Sequence, residues 1–227
     1  MAHHQLSGQP PVPLVLRRSP RARRISLRVS RLDGRVTLTL PPGVPETEAL
    51  AFAEAKSTWI RGHLAAQPAE ARVGPGVVMP VEGQMRQITE TPGRAVRLEP
   101  DALLVPARSS GRRIKAWLTE LARDRLVAAS DSYARTCGRD YARITLRDTR
   151  SRWGSCTAQG NLMYSWRLIM APPQVLQYVA AHEVAHLVEM NHSPAFWSHV
   201  ERLYGAYDAP RRWLRENGGE LHRYRFD

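Results

Sequence analysis

Apolar and polar residues alternate along two short stretches near the start of the chain, Ile25-Ser-Leu-Arg-Val29 and Val36-Thr-Leu-Thr-Leu40. A period of two puts the apolar side chains on one face of an extended strand. Asp33-Gly34 lies between the stretches as a turn dipeptide, so the pair predicts a β-hairpin, which Pro41-Pro42-Gly43 then ends. The period changes after that. From Thr47 to about Ala66, a run rich in Ala, Glu and Lys places Leu50, Ala53, Ser57 and Ile60 near helical spacing, which predicts one helix. Shorter strand-like stretches follow at 77–81, 86–89, 95–98 and 103–105, broken by glycines and prolines. Residues 14–105 read as a small β-rich module with one helix. Residues 1–13, rich in Pro, Gly and His, read as a disordered tail.

A long amphipathic helix is expected over 112–137, with Ile114, Trp117, Leu118, Leu121, Leu126 and Val127 on its apolar side and Gly138 as its cap. Strands are expected at 143–147 and 161–170. Pro172-Pro173 then opens another helix, where proline costs little. The pattern predicts an α+β protein whose second domain spans 106–227.

Composition narrows the class. The chain has 227 residues, 43% of them hydrophobic and 24% charged, as in ordinary globular proteins. No run of about 20 apolar residues is present to cross a bilayer. The N-terminal segment has no apolar signal core longer than residues 12–16, so a cytoplasmic protein is expected. Cys137 and Cys156 are too few for a disulfide framework and read as reduced thiols. The formal net charge of +12, mostly arginine, would attract polyanions, above all nucleic acid. Residues 17–24 or 108–115 could contact its phosphates.

The chemistry concentrates in His182-Glu-Val-Ala-His186-Leu-Val-Glu-Met-Asn-His192-Ser-Pro, which contains H-E-x-x-H within an apolar helix. Residues four apart share a helix face, so His182 and His186 can hold one metal ion. Two imidazoles suit Zn²⁺. Glu183 projects beside the metal, placed to take a proton from water. A catalytic zinc needs a third protein ligand, and His192 is the best candidate. Asn191 can adopt a left-handed conformation to end the helix, and Ser193-Pro194 can cap and start the next, which leaves His192 in a tight corner. Glu189, His199 and Glu201 are rivals. Tyr164, Tyr204 and Arg152 are possible donors to an oxyanion, with nothing in the pattern to choose among them. Cys156, in Arg152-Trp-Gly-Ser-Cys156, reads as part of a packed turn rather than a nucleophile, and Trp153, Trp166, Phe196 and Trp197 read as core.

These segments resemble the YgjP-like metallopeptidases, relatives of the SprT-like and WLM proteases. The match rests on the H-E-x-x-H, the third His six residues on, the Phe196-Trp197 that follows, the Arg152-Trp-Gly-Ser-Cys156 upstream and Lys56-Ser-Thr-Trp59-Ile60. The resemblance implies a zincin core of helices on a small sheet, with 161–170 as the edge strand bordering the metal. It also implies a protein or peptide substrate that adds to this edge. A second reading is a DNA-associated protease acting on DNA-bound or crosslinked proteins, as some of those relatives do. A third is a basic nucleic-acid-binding module with a non-catalytic metal. An intact Glu183 argues against the third, because a structural ion needs no base.

Overall fold

The computed structural model describes residues 3–30, 34–66 and 69–227. The chain divides into two units, 1–69 and 70–227, each with its own core. In the first unit, β1 (His3–Leu6), β2 (Val12–Arg18), β3 (Ser26–Val29) and β4 (Val36–Leu40) form a four-stranded sheet ordered β1-β2-β4-β3. Alternation buries one face, through Leu6, Val12, Leu14, Leu16, Val36, Leu38 and Leu40. Ala49 and Ala53 of α1 (Glu46–Ala55) and Ile60 of α2 (Ser57–Ala65) complete that core.

Three expectations are corrected or completed here. Residues 1–13 were expected to be disordered, but β1 pairs antiparallel with β2, and the burial of Leu6 and Val12 offsets the cost of ordering them. The single expected helix is two, broken at Lys56, whose N–H bonds back to Ala53 in a tightened turn before Ser57 and Thr58, both weak helix formers. The hairpin of β3 with β4 is present, whereas Asp33 of its expected turn lies outside the described residues.

The second unit begins with β5 (Ala71–Arg72), then β6 (Val78–Val81), β7 (Gln84–Thr91), β8 (Arg97–Leu98) and β9 (Ala102–Pro106). The last four form a sheet ordered β6-β7-β9-β8. Its apolar face, with Met79, Val81, Ile88, Leu103 and Val105, shares one core with Ile114, Leu118, Ala122 and Leu126 of α3 (Ser110–Cys137). A one-sided sheet must bury that face, and the long stripe of α3 supplies the partner. These strands therefore join the second unit, and the boundary falls at 69/70 rather than 105/106. Gly138 caps α3 in the left-handed conformation, as expected.

The chain continues through β10 (Arg143–Arg147), β11 (Gly154–Cys156) and β12 (Asn161–Ser165), a sheet ordered β10-β12-β11. The expected strand over 161–170 is thus shorter, and it is central rather than an edge. Residues 166–170 turn into a 3₁₀ segment, Trp166–Met170, buried at every position and packed on α3. Its four apolar side chains, and an Arg167 whose charge is engaged by Asp148, suit enclosure better than a strand with one wet face. α4 (Pro173–Ala185) follows, apolar on every side and packed against α3, α5 (Pro194–Tyr204) and α6 (Asp208–Asn217). Finally β13 (Tyr224–Arg225) pairs with β5, closing the unit's ends on each other.

Candidate metal centre

His182 lies in the last turn of α4, and His186 is the residue that caps the helix. The helix stops there, several residues before Asn191. The N–H groups of Leu187 and Val188 turn back to Val184 and Ala185, and the ring Nδ1 of His186 donates to the Glu189 carbonyl at 3.0 Å. That bond leaves Nε2 of His186 as the free ligand atom. Glu189 leaves the shared helix face at this point and contributes its backbone, not its carboxylate, to the site. Asn191 shapes the corner with its side chain instead of a left-handed backbone: Oδ1 accepts from the Ser193 N–H at 2.9 Å and Nδ2 donates to the Glu189 carboxylate at 2.7 Å. Ser193 caps α5 by accepting from the Phe196 N–H, with Pro194 in the first turn, as expected.

The corner brings His192 back to α4. The ligand atoms of His182, His186 and His192 all lie within 4.8 Å of one another. Nε2 of His182 is 3.1 Å from Nε2 of His192. Burial, together with the charges of His186, His192 and Arg211, holds His182 down at about 3, and burial also lowers His186. Both imidazoles are therefore neutral near pH 7, with lone pairs available. Two nitrogens that converge so closely need a shared proton or a cation between them, and a third nitrogen alongside favours the cation. The donor set fits one divalent metal ion. His199 and Glu201 stand outside the cluster.

Glu183 is buried, and burial pushes its carboxyl up to about 8 against the pull of Arg152. Strand β11 runs directly over it. A Cβ placed on Gly154 would come 2.6 Å from Glu183 Cγ and closer still to its carboxylate. Only glycine lets the strand pass at that height. Cys156, at the end of the same strand, is pushed up to about 11 by burial and by Glu183, so it stays a thiol and is no nucleophile.

The three residues considered as oxyanion donors separate. Tyr164 is fully buried, with its hydroxyl bonded to Ser130 at 3.0 Å, so it braces β12 on α3 and cannot face a substrate. Tyr204 donates to the Gln174 carbonyl at 3.0 Å. Gln174 stands eight residues before His182, about 12 Å back along α4, so that hydroxyl is directed away from the three histidines. Arg152 alone is exposed and acts on the Glu183 carboxyl.

Phe196, expected only as core, also forms the floor of the site. Its ring stacks on His186 at 4.3 Å and meets His182 edge-on at 4.9 Å and His192 at 4.7 Å. Trp197 flanks His182 and His192, and Arg211 of α6 lies 4.5 Å above its ring. A glycine inside a strand was the available signal for Gly154. No local signal marks Arg211, which reaches the site only because α6 folds back.

The family model for the YgjP-like metallopeptidase domain matches residues 23–217. No protein of curated function matches the chain. Among solved structures, the metallopeptidase zymogen of Pyrococcus abyssi abylysin is similar at 21% identity, over 43% of this chain and 92% of that one, with a TM-score of 0.34.

Proposed function

The chain belongs to the YgjP-like metallopeptidase family, and from that premise we propose that it hydrolyses peptide bonds with one zinc ion held by His182, His186 and His192 and with Glu183 as general base. The observation that carries the reading is the convergence of three imidazoles beside a buried carboxylate. A zinc ion bound there supplies Lewis acidity, making water a stronger acid and polarising the scissile carbonyl. Glu183 accepts the proton of the attacking water on its carboxylate and hands it to the departing amine. Arg152 is the residue left to meet the developing oxyanion. The Glu189 carbonyl fixes the tautomer of His186, and Phe196 holds the three rings in place.

The substrate main chain would add to β11, the end strand of the order β10-β12-β11, rather than to β12. This places an extended peptide alongside the strand that passes over Glu183.

Glu183→Gln removes the proton acceptor and keeps the size. Zinc content, measured by mass spectrometry, should stay near one per chain, while hydrolysis of unfolded casein falls about a hundredfold or more. His186→Ala should lose both zinc and activity. Turnover by Glu183→Gln equal to that of the unaltered chain would remove Glu183 as the base.

A further inference from the structure

We infer that the outer face of the β10-β12-β11 sheet is a docking surface for the phosphate backbone of a nucleic-acid duplex. The strand register places Arg143, Thr145 and Arg147 of β10, Asn161 and Met163 of β12 and Ser155 of β11 on one face. The other face carries Leu162 and Tyr164 into the core. Arg152 joins the outer group, and together they line an open groove of about 240 Å³. No carboxylate lines it. Arg143, Arg147 and Arg152 are exposed, and none makes an ion pair among the described residues. Arg143 and Arg147 are about 13 Å apart along the strand, so their guanidinium groups can meet separate phosphates.

Part of the other basic charge is already held by hydrogen bonds. Arg18, in the run 17–24, bonds the carbonyls of Pro42 and Val44. Arg113, in the run 108–115, bonds those of Arg108 and Arg94. A larger cavity, of about 950 Å³, holds Arg72, Arg167 and Arg225, but Asp148, Glu70 and the Asp227 carbonyl engage them. The sheet face combines exposed arginines with a lining that holds no carboxylate. Apart from Leu162 and Met163, its lining is arginine, hydroxyl and amide, the side-chain types that contact phosphate. No aromatic ring lines it, so nothing there would stack unpaired bases. A duplex, which presents backbone and hides its bases, is therefore the occupant rather than a single strand. This inference does not depend on the peptidase reading.

The test is fluorescence anisotropy of a labelled short DNA duplex with the full chain across a salt series. Affinity should fall linearly with salt on logarithmic axes. In the double variant Arg143→Ser with Arg147→Ser, the slope should flatten by about 1.8, the release of counterions at two phosphates. Arg143→Lys with Arg147→Lys should keep the slope, which separates lost charge from lost folding. Arg17→Ser with Arg24→Ser, equal in charge, should leave it unchanged. Zinc content and hydrolysis of a short uncharged peptide should be unaltered in the Arg143/Arg147 variants. No duplex binding at low salt, equal flattening in both serine pairs, or equal competition by single-stranded DNA or an acidic polypeptide would each overturn the inference.

Discussion

At the level of single residues, the site depends on one missing side chain. Gly154→Ala puts a methyl group where the Glu183 side chain lies, and that flexible side chain can yield more readily than the strand. The fold should therefore survive while the Glu183 carboxylate is displaced. Because a misplacement of about 1 Å can cost a hundredfold in rate, casein hydrolysis should fall about that far with zinc content and melting temperature nearly unchanged. A Gly154→Ala protein with full activity would show that Glu183 does not need its present position. Phe196 is the second such residue. Phe196→Leu keeps the core apolar but removes the ring that stacks on His186. Zinc affinity, measured by competition with a chelator, should drop about tenfold, the scale seen when a ligand's support is lost.

At the level of elements, the helix that carries His182, Glu183 and the capping His186 is anchored through its start. The turn between β6 and β7 consists of Glu82 and Gly83, both with positive φ, at 49° and 77°. Its N–H groups bond the carbonyls of Ile169 and Met170, and Gly83 sits against Pro172, the residue before α4. A Cβ at Gly83 would be 2.8 Å from Pro172 Cα, backbone that cannot swing aside. Gly83→Val combines that clash with a strained φ and should cost roughly 2–3 kcal/mol, seen as a melting temperature about 5 °C lower or more. An unchanged melting temperature would mean the hairpin does not brace α4. Arg125 of α3 bonds Glu82 at 2.7 Å, adding a further tie to the same turn.

At the level of the whole molecule, an ionic cluster around the buried Arg167 makes the second unit sensitive to acid. Arg167 is buried and grips Asp148 through two bonds, at 2.6 and 3.1 Å, and the carbonyls of Leu221 and Tyr224 through Nη1. Burial alone would raise Asp148, but the Arg167 hydrogen bond and charge outweigh it and hold the carboxyl below its usual range. The stability this pair contributes is complete above the ordinary carboxylate range and is lost as pH falls through the lowered folded value. His222 is held down at about 4 by burial and by Arg167. The unfolded chain protonates it first, near pH 6.5, so stability falls between there and about 4. Both groups act in one direction below about pH 6.5, while Glu183, raised to about 8 by burial, takes up its proton first in the folded chain and acts in the opposite direction. Asp148→Ala strands a buried guanidinium and should cost about 3 kcal/mol at pH 7, with a flatter acid profile. An acid profile of Asp148→Ala as steep as that of the unaltered chain would contradict this account.

Much of the site is legible in the chain itself, because its chemistry rides on local periodicity. His182, Glu183 and His186 are set by spacing on one helix, and Ser193-Pro194 marks the next helix start, so the three-histidine corner follows from short-range rules. The hairpin of β3 and β4 and the long α3 with its Gly138 cap are equally local. What failed were choices between partners distant in sequence. Which unit receives the strands over 78–106, whether β12 is central or at an edge, and which of Arg152, Tyr164 and Tyr204 faces the site depend on where apolar faces find each other. Alternation states that a strand has a face to bury, not what will bury it. The approach of β11 over Glu183, the ring of Phe196 beneath three imidazoles and the guanidinium of Arg211 above Trp197 exist only once those faces have met.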